Sequence, residues 1–149
     1  MFFTGPWYPE EVVDRNRMFV PKGTEFRFYD YDQLEESAKH ISDNLESFGV
    51  LGVYEAFSQL RPYSFRADLW RYMILWYHGG VYFDGKMSLR DQIFDWFDGD
   101  DNNSSFIACK DDPATWSGRQ EQYWTGVVAA RPKEPISLDL IRSIVANVE

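Results

Sequence analysis

The fold of this 149-residue chain is decided by residues 63–86, which read YSFRADLWRYMILWYHGGVYFDGK. Apolar side chains recur at helical spacing in the first part of this stretch, at Phe65, Leu69, Tyr72 and Trp76. With further apolar residues between them, they predict a helix over Tyr63–His78 that is buried on most sides. Gly79 and Gly80 end this helix, because glycine readily adopts the left-handed conformation of a helix stop. The β-forming residues at 81–83 then predict a short buried strand.

Predicted strands and helices alternate in the rest of the chain. The strands are Phe2–Thr4, Thr24–Tyr29, Ser105–Cys109 and Thr125–Ala130, and the helices are Gln33–Phe48, Val53–Leu60, Leu89–Phe97 and Ile136–Val148. From the first strand to residue 20, glycine and several prolines predict irregular chain. The alternation predicts one α/β domain over residues 1–149, with a mainly parallel sheet and helices on both faces. The last helix runs to the end of the sequence, so we expect a compact form or a fragment of a longer protein.

Composition excludes several classes of protein. Lys and Arg number 15 against 24 Asp and Glu, which gives a net charge of −9 and argues against binding of nucleic acid through its phosphates. A phosphate-bearing ligand therefore needs a local cation. The single cysteine, Cys109, allows no internal disulfide. The sequence shows no signal peptide and no apolar run of about 18 residues, so we expect a soluble, cytoplasmic protein without a membrane span.

Charged residues mark the site where ligands are expected. Ligands of open α/β sheets bind outside the carboxyl ends of the strands, which here carry Asp30, Asp32, Asp84, Lys86, Lys110, Asp111 and Asp112. Asp84 is the first candidate, because the strand before it is buried. Asp68 and Arg71 lie three residues apart on the apolar helix, where charged groups must be paired or bind something. Either they pair only with each other, or they take part in a site with Asp84.

The stretch from Phe65 to Asp84 resembles a family of glycosyltransferases that contain a DxD sugar-binding motif. Its signature is similar to (S/A)DxxRyxxLyxxGGxYxDxD, and both helix charges, both glycines and the first aspartate are in register. The family includes the fungal initiating α-1,6-mannosyltransferase, bacterial capsular polysaccharide transferases and related viral enzymes. Weaker similarity at 28–32 and 126–135 extends the resemblance to most of Arg27–Pro135.

The resemblance implies a GT-A-like fold, a nucleotide-diphosphate sugar donor and transfer with retention at the anomeric carbon. Asp68 would hold sugar or ribose hydroxyls, Arg71 would orient Asp68 or touch the donor sugar, and Asp84 would face the ribose and a Mn²⁺ or Mg²⁺ ion. The cation would stabilise the diphosphate leaving group. The resemblance also assigns substrate contacts to Thr4, Gly5, Arg66, Gly79, Gly80, Tyr82, Thr125 and Gly126.

Lys86 departs from the family pattern, because the chain has Asp84-Gly85-Lys86 where the motif has Asp-x-Asp. A lysine places a positive charge where the metal expects a carboxylate, and two unit charges about 4 Å apart interact by roughly 4 kcal/mol near a protein surface. Lys86 could replace the metal as a catalytic cation. Alternatively, a metal binds through Asp84 and another carboxylate such as Asp111 or Asp112, or the domain binds without catalysing. Thr125, where the family usually has asparagine, is a second departure.

Three functions remain open from the sequence. The first is a retaining glycosyltransferase that moves a hexose from a UDP- or GDP-sugar to a carbohydrate or glycoprotein acceptor. The second is a catalytically weak or inactive module that binds nucleotide sugars or carbohydrate, and the third is an interaction domain in which the charged residues only form salt bridges. Trp116 and Trp124 are candidates for stacking on an acceptor sugar.

Overall fold

The structure is a computed structural model that describes residues 1–4, 10–85, 87–92, 104–110 and 123–148, with Phe3 and Thr4 described by their backbone alone. The strands are β1 (Phe2–Thr4), β2 (Arg27–Tyr29), β3 (Gly80–Asp84), β4 (Phe106–Lys110) and β5 (Tyr123–Ala130). The helices are α1 (Glu10–Arg17), α2 (Tyr31–Glu46), α3 (Val53–Gln59), α4 (Tyr63–His78) and α5 (Pro135–Val148). The predicted site residues Gly5 and Lys86 lie outside the described residues, as do Asp111, Asp112 and Trp116.

The five strands form one mixed sheet in the order β2-β1-β3-β5-β4. β1 pairs in parallel with both β2 and β3, whereas β5 is antiparallel to both β3 and β4. The α/β class is therefore confirmed, but the mainly parallel sheet that we predicted is corrected to a mixed one. Alternation of strands and helices does not fix direction, and β4 and β5 can pair antiparallel because no crossover helix is needed between them.

The two faces of the sheet are covered differently. α2, α3, α4 and α5 pack on the face that carries Tyr82 and Val128, with Trp70 and Trp76 of α4 in the centre of this core. The opposite face carries Val81, Phe83, Val127 and Ala129, and it packs against Val20 and Leu89 with partly buried neighbours. Among the described residues, irregular chain after α1 and at 87–92 covers much of this face. The predicted helix over Leu89–Phe97 is therefore wrong at its start, because 89–92 are irregular, and its remainder lies outside the described residues. Helices on both faces stay a prediction, since α1 contributes the buried Asn16 beside Leu89 on this side of the sheet.

Two glycines turn the chain from α4 into β3. Gly79 has a φ of 68° and Gly80 a φ of 108°, both in the region that favours glycine. A Cβ atom on Gly79 would lie 2.5 Å from Cδ of Pro132, so a larger residue would collide with the chain that follows β5. The turn therefore fixes the direction in which β3 carries Asp84.

α1 was not predicted, and it holds the chain that follows β3. Its acidic first turn and basic last turn complement the helix dipole. Asn16 is fully buried, donates from Nδ2 to the carbonyl of Met87 at 3.0 Å and accepts from the amide of Leu89 at 2.7 Å. Because these two residues come one and three positions after Lys86 in sequence, α1 anchors the backbone on one side of the lysine.

Candidate active site at the carboxyl ends of the parallel strands

The ends of three parallel strands and the start of β5 meet at one edge of the sheet. In the backbone register, Thr4 of β1 is opposite Tyr29 of β2 on one side and Asp84 of β3 on the other. β5 runs in the opposite direction, so its first residues, among them Thr125 and Gly126, reach the same edge. The strand was predicted from the sequence, but its antiparallel direction was not, and it is this direction that brings the start of β5 to the site.

Arg71 is the centre of this site. Its residue is only 5% exposed, and its guanidinium donates hydrogen bonds to Oδ1 of Asp68 and to the backbone carbonyl of Thr125. Nη2 also lies 3.8 Å from Oδ1 of Asp84, and Cζ lies 4.8 Å from the ring centroid of Tyr82. Nε is buried without a hydrogen-bond partner among the described residues. Arg71 therefore joins Asp68, Asp84 and Thr125, and the interpretation that Asp68 and Arg71 pair only with each other is wrong.

Tyr82 holds the second carboxylate, that of Asp84, from the side of the core. Its hydroxyl donates a hydrogen bond to Oδ1 of Asp84 at 2.8 Å, and its ring is fully buried under the Arg71 guanidinium. The resemblance assigns Tyr82 to substrate binding, whereas the structure places it in the core with its hydroxyl on Asp84. Its geometry gives it the task of orienting a carboxylate.

Asp68 and Asp84 are both half-exposed, with 46% and 47% of their side chains accessible. Partial burial raises the pKa of Asp68 and the nearby Asp84 carboxylate raises it further, while Arg71 opposes both effects. Hydrogen bonds between described residues use Oδ1 of each carboxylate and leave Oδ2 without a donor. Two carboxylates and one guanidinium give this edge a net negative charge, which suits a ligand rich in hydroxyl groups.

Gly126 leaves space for an indole ring beside Asp84. A Cβ atom on Gly126 would lie 2.5 Å from Cζ2 of Trp124 and 3.1 Å from Oδ2 of Asp84. Trp124 is 41% exposed, so part of its surface is available at the site. The absence of a side chain at Gly126 therefore determines how closely the indole approaches the carboxylate.

Other predicted site residues lie elsewhere or have structural tasks. Gly79 and Gly80 lie at the start of β3, at the opposite end from Asp84. The Arg66 guanidinium donates to the carbonyls of Ser58 at 2.9 Å and Leu60 at 3.1 Å, where it caps the end of α3. The structure thus does not bring these three residues to the carboxylates. Likewise, Asp30 is the N-cap of α2 and accepts from the amide of Gln33 at 2.9 Å.

The described residues of the site do not by themselves fit a divalent metal ion. The described chain supplies only two carboxylates here, and Oδ1 of each is already within reach of Arg71. Among the residues that the structure describes, no group of three or more His, Cys, Asp and Glu side chains is arranged to hold a metal. A cation at Asp84 would also face the buried guanidinium, and the two like charges would repel each other.

A comparison with protein families identifies the chain. Residues 14–107, more than half of the sequence, match the glycosyltransferase sugar-binding region containing the DXD motif. No curated protein matches the chain. No helix in the described part of the chain has the length and apolar character needed to cross a membrane. The matched region includes the whole α4–β3 unit with Asp68, Arg71 and Asp84, and the chain belongs to the family of glycosyltransferases whose sugar-binding region contains the DXD motif.

Proposed function

We propose that the chain is a retaining glycosyltransferase that transfers a hexose from a UDP- or GDP-sugar to a carbohydrate or glycoprotein acceptor. The observation that carries the proposal is the pair of half-exposed carboxylates, Asp68 and Asp84, beside the buried Arg71. Ionised carboxylates only accept hydrogen bonds and sugar hydroxyls donate them, so the pair suits the ribose or hexose of a donor. The position of the pair at the ends of parallel strands also favours a GT-A-like scaffold.

The mechanism divides its tasks between four side chains of the site. Asp68 and Asp84 bind the donor hydroxyls, while Arg71 and Tyr82 hold the two carboxylates in position. When the bond from the anomeric carbon to the diphosphate breaks, its electron pair goes to the diphosphate oxygen and the sugar becomes electron-poor. The nearby carboxylates stabilise that positive charge. The acceptor hydroxyl oxygen then bonds to the anomeric carbon on the same face and passes its proton to the departing diphosphate oxygen.

Lys86 supplies the cation for the diphosphate in this proposal. The described site is negative, so a diphosphate needs a positive group from outside it. Lys86 follows Asp84 by two positions in sequence, and the backbone after it is anchored by Asn16. An ammonium group can neutralise a phosphate oxygen directly.

The test is calorimetric titration of UDP, GDP and their sugars, followed by measurement of donor hydrolysis and transfer. Asp68→Asn and Asp84→Asn should each weaken binding of the nucleotide sugar at least tenfold. Asp139→Asn is the matched control, because Asp139 also pairs with an arginine three residues later, Arg142, but lies on α5 away from the site. If all three variants bind the donor as the native chain does, the carboxylate pair is not the donor site and the proposal is wrong.

The alternative function is a module that binds nucleotide sugars or carbohydrate without transferring them. Asp84-Gly85-Lys86, which lacks the second aspartate of the motif, is the observation that favours it. Binding of a donor without hydrolysis or transfer would support this alternative. A Lys86→Asp variant tests the motif itself: its donor binding should respond more strongly to Mn²⁺ than that of the native chain. An equal response of both proteins would show that Lys86 does not contact the phosphates.

A further inference from the structure

An apolar groove lies beside the carboxylate site, between α4, α5 and the β4–β5 half of the sheet. Its volume is about 590 Å³, which is in the range of small-molecule sites. The described residues along it include Tyr72, Phe106, Thr125, Val128, Ile136 and Leu140. None of the described side chains that line it is charged, and its polar side-chain groups are hydroxyls. The groove therefore suits a hydrocarbon group better than an ion.

The groove adjoins the site along α4 and β5. Thr125 lines the groove, and its backbone carbonyl accepts the hydrogen bond from Arg71. Tyr72 also lines the groove and lies one helical turn after Asp68, so both residues are on the same side of α4. A ligand that lies in the groove would therefore have one end beside the carboxylates.

Exposed apolar residues at the groove favour an occupant that covers them. Ile136 is 48% exposed and Tyr123 is 62% exposed, and both line the groove. The negative charge of Asp68, Asp84 and the chain as a whole disfavours an anionic headgroup at the site end. The two observations together describe a neutral molecule with a polar, hydroxyl-rich head and an apolar tail.

We propose that this groove binds the alkyl chain of a neutral glycolipid acceptor and directs the acceptor sugar to the carboxylate site. The proposal rests on the transferase function and narrows its acceptor to a glycoside with a hydrocarbon tail. The reacting hydroxyl belongs to the sugar head at the Thr125 end. The tail takes no part in the chemistry and contributes binding energy only.

The experiment measures equilibrium binding of methyl, butyl, hexyl and octyl glycosides of glucose, galactose and mannose, below their micelle concentrations. For the native chain, each added methylene should lower the dissociation constant by up to about fourfold, which corresponds to about 0.8 kcal/mol. In Ile136→Glu this dependence on chain length should be lost. Ile136 lies in the first turn of α5, where an acidic residue is favourable, so this variant should fold. Leu51→Glu, at a residue 69% exposed outside the groove, is the matched control.

The outcomes separate this proposal from the transferase function. A dependence on chain length in the native chain and in Leu51→Glu, but not in Ile136→Glu, supports the groove. Equal affinity for methyl and octyl glycosides overturns it, as does an effect of chain length that Ile136→Glu leaves unchanged. A native dimer that Ile136→Glu dissociates, seen by sedimentation, also overturns it, because a second copy would then occupy the groove. Binding needs no donor, so a failure of transfer would contradict the proposed function and leave the groove result standing.

Discussion

Nη2 of Arg71 on α4 lies 3.8 Å from Oδ1 of Asp84 at the end of β3, and the same nitrogen donates to Asp68. The guanidinium is almost completely buried, whereas both carboxylates are half-exposed. The Arg71 guanidinium therefore orients both carboxylates toward solvent and reduces the electrostatic repulsion between them. Because the third contact of Arg71 is the carbonyl of Thr125, the same group also ties the start of β5 to the site.

Removal of the guanidinium should affect both folding and binding. Arg71→Met leaves Asp68 and the Thr125 carbonyl without their donor and removes the ion pair to Asp84, so we expect the free energy of unfolding to fall by about 2 kcal/mol. Arg71→Lys keeps the charge but loses the planar fork, so it should lose less stability and still bind the donor about tenfold more weakly. Urea denaturation and calorimetric titration measure the two effects.

Arg142→Met is the control for the arginine substitutions. Arg142 and its partner Asp139 are both exposed, so Arg142→Met should lower the free energy of unfolding by no more than about 0.5 kcal/mol. An equal loss of stability in Arg71→Met and Arg142→Met would contradict the central role of Arg71.

Tyr82→Phe should reduce activity more than stability. The substitution keeps the ring beneath Arg71 and removes the hydroxyl that donates to Asp84. The loss of one hydrogen bond to a charged group is about 1.5 kcal/mol, so we expect kcat/KM for the donor to fall by about tenfold. Tyr54→Phe is the matched control, because the Tyr54 hydroxyl also donates to a carboxylate, that of Glu35 at 3.0 Å. Comparable kcat/KM values for the two variants would mean that Tyr82 does not orient Asp84.

Gly126→Ala should disturb the indole of Trp124. The new Cβ atom would lie 2.5 Å from Cζ2 of Trp124, so the half-exposed ring must move, at about 1 kcal/mol. We expect a shift in tryptophan fluorescence and weaker binding of the sugar. In a Trp124→Ala background the same glycine substitution should have little effect, because only the contact with Asp84 at 3.1 Å remains. Equal effects in both backgrounds would show that the collision with the indole is not the cause.

The pKa of Asp68 should make the stability difference between the native chain and Asp68→Asn depend on pH. Burial raises this pKa above its usual 3.8, so the folded chain binds the proton more tightly than the unfolded chain. The free energy of unfolding of the native chain, relative to that of the asparagine variant, should therefore fall as pH rises from about 3.8 through the raised pKa. Above the raised pKa this difference should stay constant. Urea denaturation at several pH values measures this difference. A difference that grows with pH in this window would show that the pKa is lowered.

Asn16 should be needed to position the chain after Lys86. Asn16→Leu keeps the approximate volume of the side chain but leaves the Met87 carbonyl and the Leu89 amide without partners. We expect a loss of about 2 kcal/mol in the free energy of unfolding, together with weaker binding of UDP and GDP. Asn44→Leu, at a partly exposed asparagine whose side chain donates to the His40 carbonyl within α2, should change neither quantity measurably. Unaltered nucleotide binding in a folded Asn16→Leu variant would separate this anchor from the site.

The local elements could be predicted because they depend on residues that are close in sequence. α4 has the predicted bounds, Tyr63–His78, because its apolar periodicity and the Gly79-Gly80 stop are local signals. The five strands were also placed within a few residues. α1 was missed because the prolines before it indicated irregular chain. This helix is only eight residues long, and its helical signal is limited to the acidic first turn and the basic last turn. The candidate residues Asp68, Arg71 and Asp84 were predicted, since a charge on an apolar helix and an aspartate after a buried strand are visible in the sequence alone.

The arrangement of these residues was decided by tertiary structure. Only the antiparallel pairing of β5 with β3 brings Thr125 and Gly126 to Asp84, and strand direction depends on contacts between distant segments. The same pairing places Tyr123, Trp124 and Thr125 along the site and its groove. By itself the sequence determined which residues carry charge, where the helices and strands lie and which family signature they form. Packing across the sheet decided which charges meet, because a buried guanidinium takes its partners from whichever segments the fold brings within reach.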